Sequence, residues 1–159
     1  MIKNKLQLVV SLLILLFCLQ SSIAISEETP LPRFASIKSK QVNARTGPNL
    51  RYPIKWVFVR QGEPVQVVAE FEQWRKIRDF NQDESWIHMS MLSKKQYGIV
   101  IGPELVAMHK DDKARKLIAK LEPETRVEIL DCQKHVCKVI AEEYKGFVNK
   151  KNIWGINEE

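Results

Sequence analysis

The chain has 159 residues with 25 Lys and Arg against 19 Asp and Glu, a formal net charge of +6, and three cysteines. That length admits one ordinary domain or two very small ones and excludes anything larger. The charge is mild, and it falls by two when Lys3 and Lys5 are set aside with the first 24 residues.

Those 24 residues come first in the chain and read as an export signal. Met1-Ile2-Lys3-Asn4-Lys5 is basic, Leu8 to Leu19 is apolar except for Ser11, and Ser22 and Ala24 are small residues placed for a cut between Ala24 and Ile25. The apolar run is shorter than the roughly 20 residues a spanning helix needs. Membrane contact is therefore expected only if the signal is retained as an anchor. A lipidated Cys18 is disfavoured by bulky Phe17 before it. Export implies a periplasmic location and no nucleic-acid partner. It also leaves two cysteines, Cys132 and Cys137, an even number in an oxidising compartment.

Residues 25–32 are acidic, contain Pro30 and Pro32, and read as a flexible lead-in. From Arg33 onward the pattern is short and β-like. Strands are predicted at Phe34–Ile37, Val42–Arg45, Trp56–Val59, Val65–Ala69, Trp74–Arg78 and Ser85–His88, with turns at Thr46–Asn49, Gln61–Pro64 and Asn81–Glu84. Met89–Leu92 reads as a short helical turn that closes the unit, and Asp111–Lys120 could form another by composition. Turn signals every 8–12 residues predict an all-β fold, a small barrel or sandwich.

The plan repeats. Val65, Val67 and Val68 correspond to Val127, Ile129 and Leu130; Trp74 and Ile77 to Val136 and Val139; Trp86, Ile87 and Leu92 to Phe147, Val148 and Ile153. These matched positions read as inward-facing, so Trp74, Ile77, Trp86, Val136, Val139 and Phe147 are expected in the core. The expected division is 33–95 for a first unit, 96–104 for a linker or first strand, and 105–157 for a second unit. The first is the more basic, with 12 basic and 6 acidic residues.

Cys132-Gln-Lys-His135-Val-Cys137 admits two arrangements. A metal site would use both thiolates, His135 and a fourth ligand. A disulfide would join facing strands of a hairpin, where opposed Cβ atoms lie about 4.5–5.5 Å apart, and the oxidising compartment favours it. Such a staple suggests that the second unit has the weaker core.

Val42-Asn-Ala-Arg-Thr-Gly-Pro48, Tyr52-Pro-Ile54, Gly62, Val65–Val67, Trp74–Ile77 and Trp86-Ile-His88 through Leu92 together resemble the bacterial SH3-like (SH3b) domain. The paired cysteines and Ile153-Trp154-Gly155 extend the likeness to tandem SH3-like exported proteins of alphaproteobacteria. Two positions depart from that pattern: Ser85 stands where a glycine usually precedes the late tryptophan, and the second unit lacks Arg-x-Gly-Pro. The resemblance implies two small SH3-like β-barrels in tandem, with a long loop flanking a groove for extended peptides. Tyr52, Trp56 and Arg45 are the groove candidates. Arg45 could instead bond loop carbonyls.

Little points to catalysis. His88, His109 and His135 share no local context, no Gly-rich phosphate loop occurs, and Asp111-Asp112 and Glu142-Glu143 fall in loops or hairpin tips. The expectation is an exported non-enzymatic binding module without cofactor. Its partner would be cell-wall peptide or, for an adaptor or structural subunit, another envelope protein; an enzyme or enzyme regulator is the weaker alternative.

Overall fold

The computed structural model describes residues 30–157. The expected export signal, the expected cut between Ala24 and Ile25, and most of the expected lead-in lie outside the described residues. No helix among the described residues is long and apolar enough to cross a membrane.

The fold is all-β, built from two antiparallel sheets of seven strands each. The first contains β1 (Arg33–Ile37), β2 (Val42–Arg45), β3 (Ile54–Phe58), β4 (Pro64–Phe71), β5 (Trp74–Arg78), β6 (Glu84–His88) and β7 (Leu92–Ser93). The second contains β8 (Gln96–Val100), β9 (Val106–His109), β10 (Leu117–Leu121), β11 (Arg126–Cys132), β12 (Val136–Ala141), β13 (Tyr144–Asn149) and β14 (Ile153–Trp154). The strand orders are β3-β2-β6-β5-β4-β1-β7 and β10-β9-β13-β12-β11-β8-β14. Each strand of the second sheet thus holds the place of the strand seven earlier. A single 3-10 turn precedes the last strand of each, Met89–Met91 and Lys150–Asn152. The registers agree as well. Val67 faces Ile77 as Ile129 faces Val139, and Arg45 faces Trp86 as His109 faces Phe147.

Cys132 faces Cys137 across the β11–β12 hairpin, and the two sulfurs are bonded. Asp111–Lys120 is not helical. The Asp111 carboxylate accepts from the Lys113 N–H at 3.1 Å and from Arg115 Nε at 3.2 Å, which holds a turn, and Leu117 then enters β10. Pairing with β9 overrides local helix propensity there.

Each sheet curls around its own core. The first encloses Ile37, Val42, Ala44, Val65, Val67, Ile77 and Ile87; the second encloses eleven residues, among them Met108, Val127, Val139 and Cys137. The second core is the more extensive, which corrects the expectation that the staple marks the weaker unit.

Four of the six expected core residues lie outside the two core clusters: Trp74, Trp86, Val136 and Phe147. Trp86 alternates with buried Ser85 and Ile87, Phe147 with buried Gly146 and Val148, and Val136 precedes buried Cys137. Successive side chains of a strand take opposite faces, so Trp86, Phe147 and Val136 lie half-buried on the outer face. Val68 and Leu130 are the extra residues of a β-bulge in β4 and β11, which removes them from the inward row.

Ser85 is 2% exposed, faces Ile77 where the second unit has Gly146 facing Val139, and its hydroxyl has no hydrogen-bond partner among the described residues. An orphaned buried hydroxyl costs about 1–3 kcal/mol. Ser85→Ala keeps the shape and removes that cost. It is expected to stabilise the protein by about 1 kcal/mol and to raise the melting temperature by about 4 °C. A melting temperature that stays put or falls would show that the hydroxyl is satisfied in solution.

The units touch along β1, β4 and β8. The Trp154 ring meets Phe34 edge-to-face at 4.9 Å and Phe80 at 5.4 Å. Asn157 brackets the backbone of Phe34, accepting from its N–H at 2.6 Å and donating to its carbonyl at 3.5 Å. Tyr97 N–H donates to the buried Ser36 hydroxyl at 3.1 Å, and Arg126 pairs with Glu63 at 2.6 Å. Gly62, at φ +79°, sits under the Tyr97 ring, where a Cβ would lie 3.1 Å from ring carbons.

Candidate functional site

The outer face of the first sheet carries a groove of about 770 Å³ at the foot of the loop between β2 and β3. Its wall on one side comes from β2 and that loop: Asn43, Arg45, Asn49 and Leu50. On the other side stand Gln73, Trp74, His88 and Met91. Trp74 is 9% exposed yet lies outside the core cluster, because it is three residues from Ile77 on β5 and so takes the opposite face. It forms the apolar floor.

Trp74 faces His88 across β5 and β6, with the rings edge-to-face at 5.6 Å. His88 is held from both ends. Its Nδ1 accepts from the Ser90 N–H at 3.3 Å and lies 2.7 Å from the Ser90 hydroxyl, and its Nε2 lies 3.0 Å from Gln73 Oε1. Both ring nitrogens are thus engaged. His88 therefore fixes the 3-10 turn that shapes one rim.

The opposite rim depends on Arg45, whose Nη1 donates to the Tyr52 carbonyl at 2.7 Å and ties the loop back to β2. Gly47 is required for space. The Tyr52 ring lies where a Cβ would stand, 2.6 Å from ring carbons. Of the sequence-derived candidates, Arg45 lines the groove, while Tyr52 and Trp56 do not. Tyr52 is exposed at the loop. Trp56 packs on the first core with Lys55 Nζ 4.3 Å above its ring. Asn43, Leu50, Gln73, Trp74 and His88 were not among those candidates. The signal that could have identified the last two was parity: Trp74 and His88 occupy strand positions out of phase with Ile77 and Ile87.

β5 and β6 also carry a patch of paired charge outside the groove lining. Lys76 and Arg78 both pair with Glu84, the latter at 2.7 Å, and their hydrogen bonds hold the Glu84 carboxyl below the usual carboxylate range. Asp79, on the turn beyond β5, is pushed above it by burial, with Asp83 and Glu63 adding to the rise. Among the described residues, no three His, Cys, Asp or Glu side chains are grouped so as to hold a metal ion.

A family model described as the bacterial SH3 domain matches residues 38–94. No curated protein matches the chain. Solved structures with related arrangements include NlpC2 from Trichomonas vaginalis, at 13% identity and a TM-score of 0.36, over 77% of this chain and 48% of that one. NlpC1 from the same organism follows at 12% identity and 0.36, over 80% and 47%. An NlpC/P60 family protein from Bacillus cereus follows at 11% and 0.33, over 76% and 55%. The chain spans about half the length of these proteins. Likeness at this level carries no argument about activity.

Proposed function

We propose, for a chain whose residues 38–94 form a bacterial SH3 domain, that the protein is a non-enzymatic binding module of the cell envelope and that its groove takes the peptide of the cell wall. The observation that carries this reading is the groove itself, an indole floor between two rims of side-chain amides, one of them bearing Arg45. An apolar floor with a few convergent polar groups is the usual build of a ligand site. Asn43, Asn49 and Gln73 offer both donors and acceptors to an extended backbone, and Arg45 offers a cation to a peptide carboxylate. The surplus of basic over acidic residues in the first unit suits the anionic stem peptides. The reading places the protein in the periplasm, with the signal removed.

The test is co-sedimentation with purified sacculi at low salt, together with Trp74 emission during titration with a stem peptide. Asn43→Ala and Leu50→Ala alter exposed groove residues outside the core. Each is expected to weaken binding about fivefold, near 1 kcal/mol, with an unchanged melting temperature. No co-sedimentation by the parent protein would refute the wall-binding reading.

A further inference from the structure

Among the described residues, five of the twelve exposed large hydrophobic residues lie within residues 50–59: Leu50, Tyr52, Ile54, Val57 and Val59. Three of them, Ile54, Val57 and Val59, belong to β3 or continue it. β3 is the edge of the first sheet, with β2 as its sole hydrogen-bonded neighbour strand among the described residues. Trp56 and Phe58 pack inward on the core, so Ile54 and Val57 stand on the outer face, and Val59, 70% exposed, extends that row. An edge strand presents unpaired backbone N–H and C=O groups, and proteins ordinarily blunt such edges with charge.

The second unit supplies an internal comparison. β10 is the equivalent edge and carries a β-bulge at the same place. Asn43 faces Val57 in the first unit, and Ala107 faces Lys120 at the equivalent pair in the second. Two residues further on, Val59 corresponds to Glu122. The same edge is thus charged in one unit and apolar in the other. Lys55, the extra residue of the first bulge, does not blunt the edge. Its Nζ lies over the Trp56 ring and donates to the Glu84 carbonyl on β6 at 3.0 Å, away from the free side. Arg51 and Arg60, at the two ends of the row, have no carboxylate within 4.0 Å among the described residues.

We propose that the β3 edge of the first unit is a docking site for an extended, β-branched and acidic segment of a partner protein, which adds to the sheet as a further strand. Backbone hydrogen bonds to the free side of β3 hold it, Val57 and Val59 select apolar side chains on its outer face, and Arg51 and Arg60 select acidic residues at its ends. A second copy of this chain fits less well, because antiparallel pairing of β3 with itself brings Arg51 of one copy toward Arg60 of the other. This surface lies beside the groove but does not rest on the groove's having a ligand.

The test uses two synthetic seven-residue peptides of alternating Val and Thr, one flanked by Asp and one by Lys, titrated into residues 25–159 and followed by backbone amide shifts and hydrogen exchange. The Asp-flanked peptide is expected to bind with a dissociation constant below about 1 mM, at least tenfold tighter than the other, and to protect amides of β3. Val57→Lys with Val59→Glu, which copies the second unit, is expected to weaken binding tenfold or more. Val59→Lys alone, at an exposed position after the strand, serves if the double variant fails to fold. Saturable shifts confined to the groove, equal affinity for both peptides, or no binding by either would overturn the proposal. So would concentration-dependent sedimentation abolished by the same substitutions, which would assign the edge to a second copy. Co-sedimentation with sacculi, measured in parallel on the double variant, is expected to be unchanged.

Discussion

Trp154→Ala is expected to lower the stability of the protein by about 3 kcal/mol, the low end of a fully buried aromatic deletion, and to split one unfolding transition into two. The indole is only half-buried, but it sits where the units meet. Its ring stands edge-to-face with Phe34 of β1 at 4.9 Å and with Phe80 of the β5–β6 turn at 5.4 Å. Each such pair adds about 0.5–1.5 kcal/mol beyond the area it buries. β14 keeps its backbone pairing with β8 in the variant, so the loss falls on side-chain contacts between units and not on the second sheet itself. The contacts that remain include the Asn157 bracket on Phe34, the Tyr97–Ser36 bond, the Tyr97 ring over Gly62 and the Arg126–Glu63 pair. Calorimetry should show the parent protein melting in a single transition and the variant in two, because each unit encloses its own core. A variant that melts in one transition at the parent temperature would show that the units are not coupled through Trp154.

Opening the Cys132–Cys137 bond is the second large perturbation. The bonded residues are five apart, and closing so small a ring accounts for about 2 kcal/mol in the chain-entropy account. Reduction, or Cys132→Ala, is expected to lower stability by about that amount and to act on the second unit. That unit stays folded when reduced, because ten other buried residues share the cluster with Cys137, which packs as a small hydrophobe even as a thiol. Denaturant titration with and without reductant measures the effect, and an unchanged midpoint would contradict it. The same bond makes thiol labelling informative about the leader. Denatured, unreduced protein should show no reactive thiol if residues 1–24 are removed and one, Cys18, if they are retained.

Much of the fold was legible because its signals are local. Gly62-Glu-Pro64 and Asn81-Gln-Asp83 mark turns by backbone preference alone, and β-branched runs such as Val65-Gln-Val67 mark strands. The repeat was legible because Val67 with Ile77, and Ile129 with Val139, are the same facing pair used twice. The hairpin staple was legible because two cysteines five apart can meet only across a short turn. The groove was not. Trp74, Trp86 and Phe147 are large and apolar, and size was taken for burial in the core. Their strand parity places all three on the outer face, where Trp74 becomes a floor, Trp86 faces Lys76 across the strands and Phe147 lies under Lys138. The helical turn expected over Asp111–Lys120 does not form: helix propensity is visible in composition, whereas the pairing of β10 with β9 is not.

The sequence by itself determined the β class, the positions of most turns, the doubling of the plan and the hairpin that carries the disulfide, because each depends on residues close together in the chain or on the alternation of a single strand. Only the tertiary structure decided which of the two faces of each strand is enclosed, since alternation along β5 separates Trp74 from Ile77 without saying which of them meets the core. Only it decided that Trp154, more than seventy residues from Phe80, closes the seam between the units, and that β3 is an apolar edge while β10 is a charged one. Those relations depend on strand order and on packing between sheets, where distance along the chain carries no information.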